Sequence, residues 1–150
     1  MHILQREMVV NLPQDELWEF IATPANLNLI TPPDLDFRIL SALPERMYDG
    51  LTLLYEIRIP LFGRHRWLTE IKHIHPGESF VDEQRLGPYR FWYHYHEIGR
   101  IDASHSRMLD RVHYALPFGP FGRLVNRLQV AKMLDRIFAY RAEKLGELFP

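Results

Sequence analysis

The stretch FVDEQRLGPYRFWYHYHEI, Phe80 to Ile98, decides how the chain is read. Gly87-Pro88 in its middle marks a turn, and both flanks have strand composition, so the stretch is a β-hairpin. Side chains alternate across a strand. One face of the first strand carries Phe80, Asp82, Gln84 and Leu86, the other Val81, Glu83 and Arg85. In the second strand Trp92, His94, His96 and Ile98 stand against Phe91, Tyr93, Tyr95 and Glu97. A half-buried hairpin has one apolar and one polar face. Here neither face is plainly the wet one, and carboxylate, amide, imidazole and indole groups share a side.

The neighbouring segments extend the pattern. Residues 51–59 place Leu53, Tyr55, Ile57 and Ile59 against Glu56 and Arg58. Residues 65–74 place Trp67, Thr69 and Ile71 against Arg66, Glu70 and Lys72. Residues 107–116 put Met108, Asp110, Val112 and Tyr114 on one face. Turns at Asp49-Gly50, Phe62-Gly63-Arg64 and Pro76-Gly77 separate these runs, which predicts an antiparallel meander. Upstream, residues 2–10 read as a first strand. Pro13, followed by Asp15 and Glu16, starts a helix with an apolar stripe of Leu17, Phe20 and Ile21. A second short helix spans 24–30, and residues 37–40 form a short strand. Beyond Gly122 the chain reads as one amphipathic helix of roughly seven turns. Leu124, Leu128, Ala131, Leu134, Phe138 and Leu145 are assigned to its apolar face. Arg123, Arg127, Lys132, Arg136, Arg141 and Lys144 are assigned to its wet side.

Composition limits the function. The chain has 150 residues and a formal charge of -1, without the basic excess that phosphate neutralisation requires, so no nucleic-acid partner is expected. It has no cysteine, which removes disulfides, thiolate metal sites and a cysteine nucleophile. No repeat, linker, signal-peptide pattern or membrane-length apolar run is present, so the expectation is one domain over 1–150, cytoplasmic, without stable membrane insertion. It is expected as a monomer or homodimer, with no cofactor.

The order strand, two short helices, antiparallel strands, long helix defines an α+β protein. It resembles the SRPBCC superfamily, the START or Bet v 1-like helix-grip proteins, and within it the small bacterial ligand-binding members related to polyketide cyclases and lipid-transfer domains. The segments that carry the resemblance include Thr31-Pro32-Pro33, Trp67-Leu68-Thr69, residues 80–84, Gly87-Pro88-Tyr89, residues 92–96, Asp110-Arg111-Val112 and residues 114–119. The resemblance covers nearly the whole chain. It implies a curved sheet of about seven strands wrapped around the C-terminal helix, with a ligand cavity between them. A fold of this kind does not assign chemistry by itself.

On that frame the face of Trp67, Thr69 and Ile71 is concave. The strand phase then brings Asp82, Gln84, Trp92, His94, His96, Asp110 and Val112 to the cavity, with Tyr55 from the preceding strand and Leu128 and Phe138 from the helix. These residues are the expected binding set for a small apolar or amphipathic molecule: a lipid, an isoprenoid or a polyketide-like compound. His94 and His96 lie two apart on one face. With Asp82 or Asp110 they are candidates for acid–base catalysis of a cyclase, dehydratase or hydrolase type. A buried polar network with no chemistry is the reading preferred over a two-histidine, one-carboxylate metal site; no metal is expected. Residues 118–122 read as a turn that needs glycine and proline for its backbone, with a lid at the cavity mouth as the alternative.

Overall fold

The computed structural model describes residues 1–60 and 62–150. Among these residues seven strands form one antiparallel sheet: β1 (His2–Val10), β2 (Arg38–Ile39), β3 (Thr52–Ile59), β4 (Gly63–His75), β5 (Ser79–Leu86), β6 (Phe91–Arg100) and β7 (Ser106–Ala115). Their spatial order is β1-β7-β6-β5-β4-β3-β2. The meander from β2 to β7 follows the chain, and β1 closes onto β7 at the far edge. Helix α1 (Gln14–Ile21) follows β1, and 3₁₀ turns at Pro24–Ile30 and Pro33–Leu35 follow it. The acidic first turn of α1, Asp15 and Glu16, sits at the positive end of its dipole.

The strand phase is the one the alternation predicts. Trp92, His94, His96 and Ile98 are buried, while Phe91, Tyr93, Tyr95 and Glu97 are half-buried on the other face. β6 pairs without slippage on both sides: His94 lies between Asp82 and Val112, and His96 between Phe80 and Asp110. The register shifts occur one strand away, between β4 and β5, where His73 takes a φ of 54°. Such bulges bend a strand and sharpen its twist. On the outer face Glu70 pairs with Arg85 at 3.2 Å and Glu56 with Arg64 at 3.0 Å, and Lys72 pairs with Glu83.

The hairpin turn is locked by a side chain. The Gln84 amide donates to the Tyr89 carbonyl at 2.7 Å, and the Tyr89 N–H donates to Gln84 Oε1 at 3.2 Å. A Cβ on Gly87 would collide with that amide, which is why the turn carries glycine there. The lock turns Tyr89 inward, where it packs edge-on to Trp67 at 5.4 Å.

The C-terminal helix departs from the sequence reading. It runs as α2 (Gly119–Val125), a π turn (Asn126–Val130) and α3 (Ala131–Leu148). The Ala131 N–H bonds the Asn126 carbonyl five residues back, the mark of a π turn. Asn126 is pinned there, since the Tyr114 hydroxyl donates to its Oδ1 at 2.8 Å and its own amide donates to His2 Nδ1 at 3.2 Å. The wider winding keeps Gly122, Asn126 and Val130 facing the sheet at intervals of four. Leu124 and Leu128 are consequently turned out, 54% and 57% exposed. Arg141, assigned to the wet side, is buried with Leu134, Phe138 and Leu145.

Phe118 and Phe121 stand in solvent and do not line the main cavity; residues 118–122 are the N-cap and first turn of α2. Its backbone is left-handed at both Phe118 (φ 75°) and Gly119 (φ 51°).

Two glycines of this helix should respond oppositely to one methyl group. A Cβ on Gly122 meets the Pro117 carbonyl, whereas a Cβ on Gly146 meets nothing within 4 Å. Gly122→Ala is expected to destabilise by about 1–3 kcal/mol through overpacking. Gly146→Ala is expected to stabilise by about 0.8–1 kcal/mol through helix propensity. Urea denaturation of the two variants measures both, and equal signs would contradict the helix geometry.

Candidate functional site

Sheet and C-terminal helix enclose a cavity of about 190 Å³. Its walls are apolar: Leu53, Ile57, Ile59 and Ile71 from the sheet, Met133, Leu134 and Ile137 from α3, and Leu27 and Ile30 from the first 3₁₀ turn. Aromatic rings build one side. Tyr55 stacks on Trp67 at 5.8 Å, and Trp67 meets Trp92 edge-on at 5.1 Å. Apart from Thr23, Asn26, Thr31 and Thr69, the polar groups that reach the cavity are concentrated at Asp82, His94, His96 and Arg141.

These side chains form one cluster because of strand register. Asp82 is opposite His94, and Asp110 is opposite His96. The two imidazoles stack with centroids 3.6 Å apart, and Phe80 covers the outer face of His96 at 4.2 Å. Each ring lies between the two carboxylates. His94 Nε2 is 2.7 Å from Asp110 Oδ1, and its Nδ1 is 3.2 Å from Asp82 Oδ2. His96 Nε2 is 2.6 Å from Asp82 Oδ2, and its Nδ1 is 3.0 Å from Asp110 Oδ1. The Trp92 indole N–H donates to Asp82 Oδ1 at 3.3 Å. Arg141 approaches from α3, its Nη1 3.6 Å from Asp110 Oδ1.

Buried charges survive when they are mutually compensated. Here two carboxylates are faced by one guanidinium and two imidazoles. Burial favours the neutral form of Asp82, but the charges and hydrogen bonds of His94 and His96 outweigh it and hold the carboxyl well below the usual range. Asp110 is held low in the same way, with Arg141 adding to the two histidines. For His94 burial disfavours the charged ring, yet Asp82 and Asp110 overcome it and raise the pKa above 6.5.

Asp82, His94 and His96 also bring three ligand-type atoms within 4.8 Å of one another, close enough for a cation. The donor set argues for an ion-pair network instead. Each ring nitrogen already faces a carboxylate, and the Arg141 guanidinium occupies the same neighbourhood.

Of the expected binding set, Tyr55, Trp67, Thr69, Asp82, Trp92, His94, His96 and Phe138 line the cavity. Asp110 does not; it lies behind the imidazoles, 1% exposed. Val112 is packed in the core beneath them. Gln84 is spent on the hairpin turn. Leu128 is on the surface for the reason given by the π turn. The residue missed is Arg141. It sits seven after Leu134, three after Phe138 and four before Leu145, so helical spacing places it on the buried face. Its charge had set it on the opposite one.

No protein-family model and no curated protein sequence matches the chain. Solved structures do match. A START superfamily protein from Mycobacterium smegmatis aligns with a TM-score of 0.70 at 10% identity, covering 99% of each chain. An aromatase/cyclase from a Streptomyces species aligns at 0.73 with 13% identity, over 96% of this chain and 90% of that one. A norcoclaurine synthase point mutant from Thalictrum, in complex with a transition-state analogue, aligns at 0.67 with 13% identity, over 98% and 92%. The chain has the START/Bet v 1 helix-grip fold, as its element order implied. No helix among the described residues is long and apolar enough to cross a membrane.

The cluster makes stability depend on pH in two directions. Asp82 and Asp110, with lowered pKa values, contribute stability that is present above about pH 3.9 and is lost as pH falls through their folded values. His94, with a raised pKa, contributes fully below about pH 6.5 and loses its contribution as pH rises through the raised value. The cluster's contribution is greatest between these limits and declines on the alkaline side. Thermal unfolding across this range should show that decline, and His94→Gln should flatten it. Asp110→Ala, which strands a buried guanidinium, is expected to cost about 3–5 kcal/mol in urea denaturation.

Proposed function

We propose that the chain binds a small, mostly apolar molecule with one polar end in the cavity between sheet and C-terminal helix. The observation that carries this reading is the division of the cavity: apolar and aromatic walls leading to the patch of Asp82, His94, His96 and Arg141. Apolar walls with few convergent polar groups are the usual build of a small-molecule site. Tyr55, Trp67, Trp92 and Phe138 supply contact area, and the cluster supplies orientation. The fold shared with a START superfamily protein and an aromatase/cyclase supports the same class of role.

Size narrows the ligand. The cavity of about 190 Å³ is little larger than the ~150 Å³ that takes benzene. It is below the ~300–1,000 Å³ usual for drug-sized ligands. A single ring with a short chain fits, such as one isoprenoid or polyketide-derived ring; a diacyl lipid does not.

A second reading is favoured by the imidazoles. His94 and His96 border the cavity, and Asp82 and Asp110 orient both rings. That is an arrangement for moving a proton at a bound carbonyl compound, as a cyclase, dehydratase or hydrolase requires. A bell-shaped pH–rate profile on a cyclisable polyketide-like thioester, abolished in His96→Gln, is its expected signature. Absence of turnover on substrates that demonstrably bind removes it.

Calorimetric titration with hydrocinnamyl alcohol tests the binding reading. Saturable binding to the wild type is expected. Ile137→Trp, which fills the cavity from α3, should weaken it by about tenfold or more, since a filled site forces overpacking on the ligand. Unchanged affinity in that variant would place binding elsewhere on the protein.

A further inference from the structure

Arg141 is 8% exposed and lies inside the fold, yet it is poorly partnered. Its guanidinium stands over the Phe138 ring, 5.0 Å from the centroid. Its ion pair with Asp110 is 3.6 Å long, beyond hydrogen-bond distance. Its Nε has no hydrogen-bond partner, and no hydrogen bond from the guanidinium is found among the described residues. A guanidinium carries five N–H donors in a planar fork. To bury one with its donors unused is costly unless something else meets them.

The cluster itself leaves little for the fork. Asp82 Oδ2 is taken by His96 Nε2 at 2.6 Å and approached by His94 Nδ1 at 3.2 Å, and its Oδ1 receives the Trp92 N–H at 3.3 Å. Asp110 Oδ1 is taken by His94 at 2.7 Å. Asp110 Oδ2 has no partner, but Asp110 does not border the cavity. Among the residues that border the cavity, three buried atoms have no hydrogen-bond partner: Arg141 Nε, the indole N–H of Trp67 and His96 Nδ1, the last lying 3.0 Å from Asp110 Oδ1. The arginine and the indole can only donate, so they call for a ligand that brings acceptors. A carboxylate matches the planar fork with two parallel, charge-assisted hydrogen bonds, which a neutral oxygen cannot form. The Phe138 face beneath the guanidinium holds the fork in place before the ligand arrives.

We propose that the ligand of this cavity is an apolar organic acid, a single ring on a short chain ending in a carboxylate, and that Arg141 is the group that receives the carboxylate. Trp67 donates to a second acceptor on the same molecule. The proposal rests on the cavity being a binding site, and it names the chemical class that the site selects. It also assigns a role to the one buried side chain of α3 whose charge is out of place in a helix core.

The test compares two probes of equal shape, hydrocinnamate and hydrocinnamyl alcohol, by calorimetric titration against the wild type, Arg141→Met and Arg141→Lys. Hydrocinnamate is expected to bind the wild type about tenfold or more tightly than the alcohol, as a charge-assisted bidentate pair implies. Arg141→Met should abolish that preference while still binding the alcohol. Arg141→Lys, which keeps the charge and loses the fork, should fall between. Equal binding of the two probes by the wild type, or a preference for the acid that survives in Arg141→Met, overturns the proposal and leaves the cavity reading standing. If neither probe binds the wild type, the cavity reading fails and the proposal with it. Should Arg141→Met not fold, the wild-type comparison still decides between acid and alcohol, and Arg141→Gln takes its place for the preference.

Discussion

Two carboxylates under a layer of aromatic rings are the constraint around which this protein is arranged. Asp82 and Asp110 are ionised, and an ionised carboxylate in such a place is unstable unless cations and hydrogen bonds surround it. No single element can provide them. The sheet supplies two imidazoles because β6 lies between β5 and β7, and because residues two apart share a face. The helix supplies the guanidinium of Arg141. Each of the four elements thus holds a group that another element needs, and the network ties them together across the floor of the cavity. Polar groups of this kind cannot collapse onto indole and isobutyl walls without losing their partners. The cluster therefore fixes where the apolar lining ends.

The rest of the sheet serves that register. A one-residue slip in β6 would put Tyr93 and Tyr95 inside and both histidines outside. Irregular geometry is instead confined to the β4–β5 pair, where Thr69 faces Gln84 after a shift. At this same end of β5 the Gln84 amide closes the hairpin over Gly87, which sets the connection into β6. A polar residue on the inner face can thus act through the backbone rather than through the cavity, and side-chain type alone does not tell the two uses apart.

That distinction explains what could be read in the sequence and what could not. The alternation in residues 51–59, 65–74 and 92–98 was enough to place Tyr55, Trp67, Thr69, Trp92, His94 and His96 on the concave face, because a period of two leaves only two choices per strand. Depth was not legible. Asp110 and Val112 share that face but lie behind the imidazoles and in the core, while Met108 of the same strand reaches the cavity. The helix was the weakest part. Leu128 was drawn into the apolar face by its hydrophobicity, although the π turn at residues 126–130 rotates it away. Arg141 was drawn out by its charge, although Leu134, Phe138 and Leu145 fix its position on the buried face. For Leu128 regular helical spacing misled because the π turn interrupts it; for Arg141 spacing was right and charge overrode it.

The π turn and the buried arginine are connected. An uninterrupted α-helix drifts around its axis when inward residues recur every four, since four residues exceed one turn of 3.6. Gly122, Asn126, Val130 and Leu134 recur in this way, and the wider π winding absorbs the drift. The anchor of that winding is polar: Asn126 bound to Tyr114 on β7 and to His2 on β1. Two sheet strands thereby set the rotation of a helix whose next buried turns present Phe138 and Arg141 to the cavity. The placement of Arg141 is thereby linked to the hydrogen bonds of Asn126, fifteen residues earlier in the chain, at a position that does not itself line the cavity.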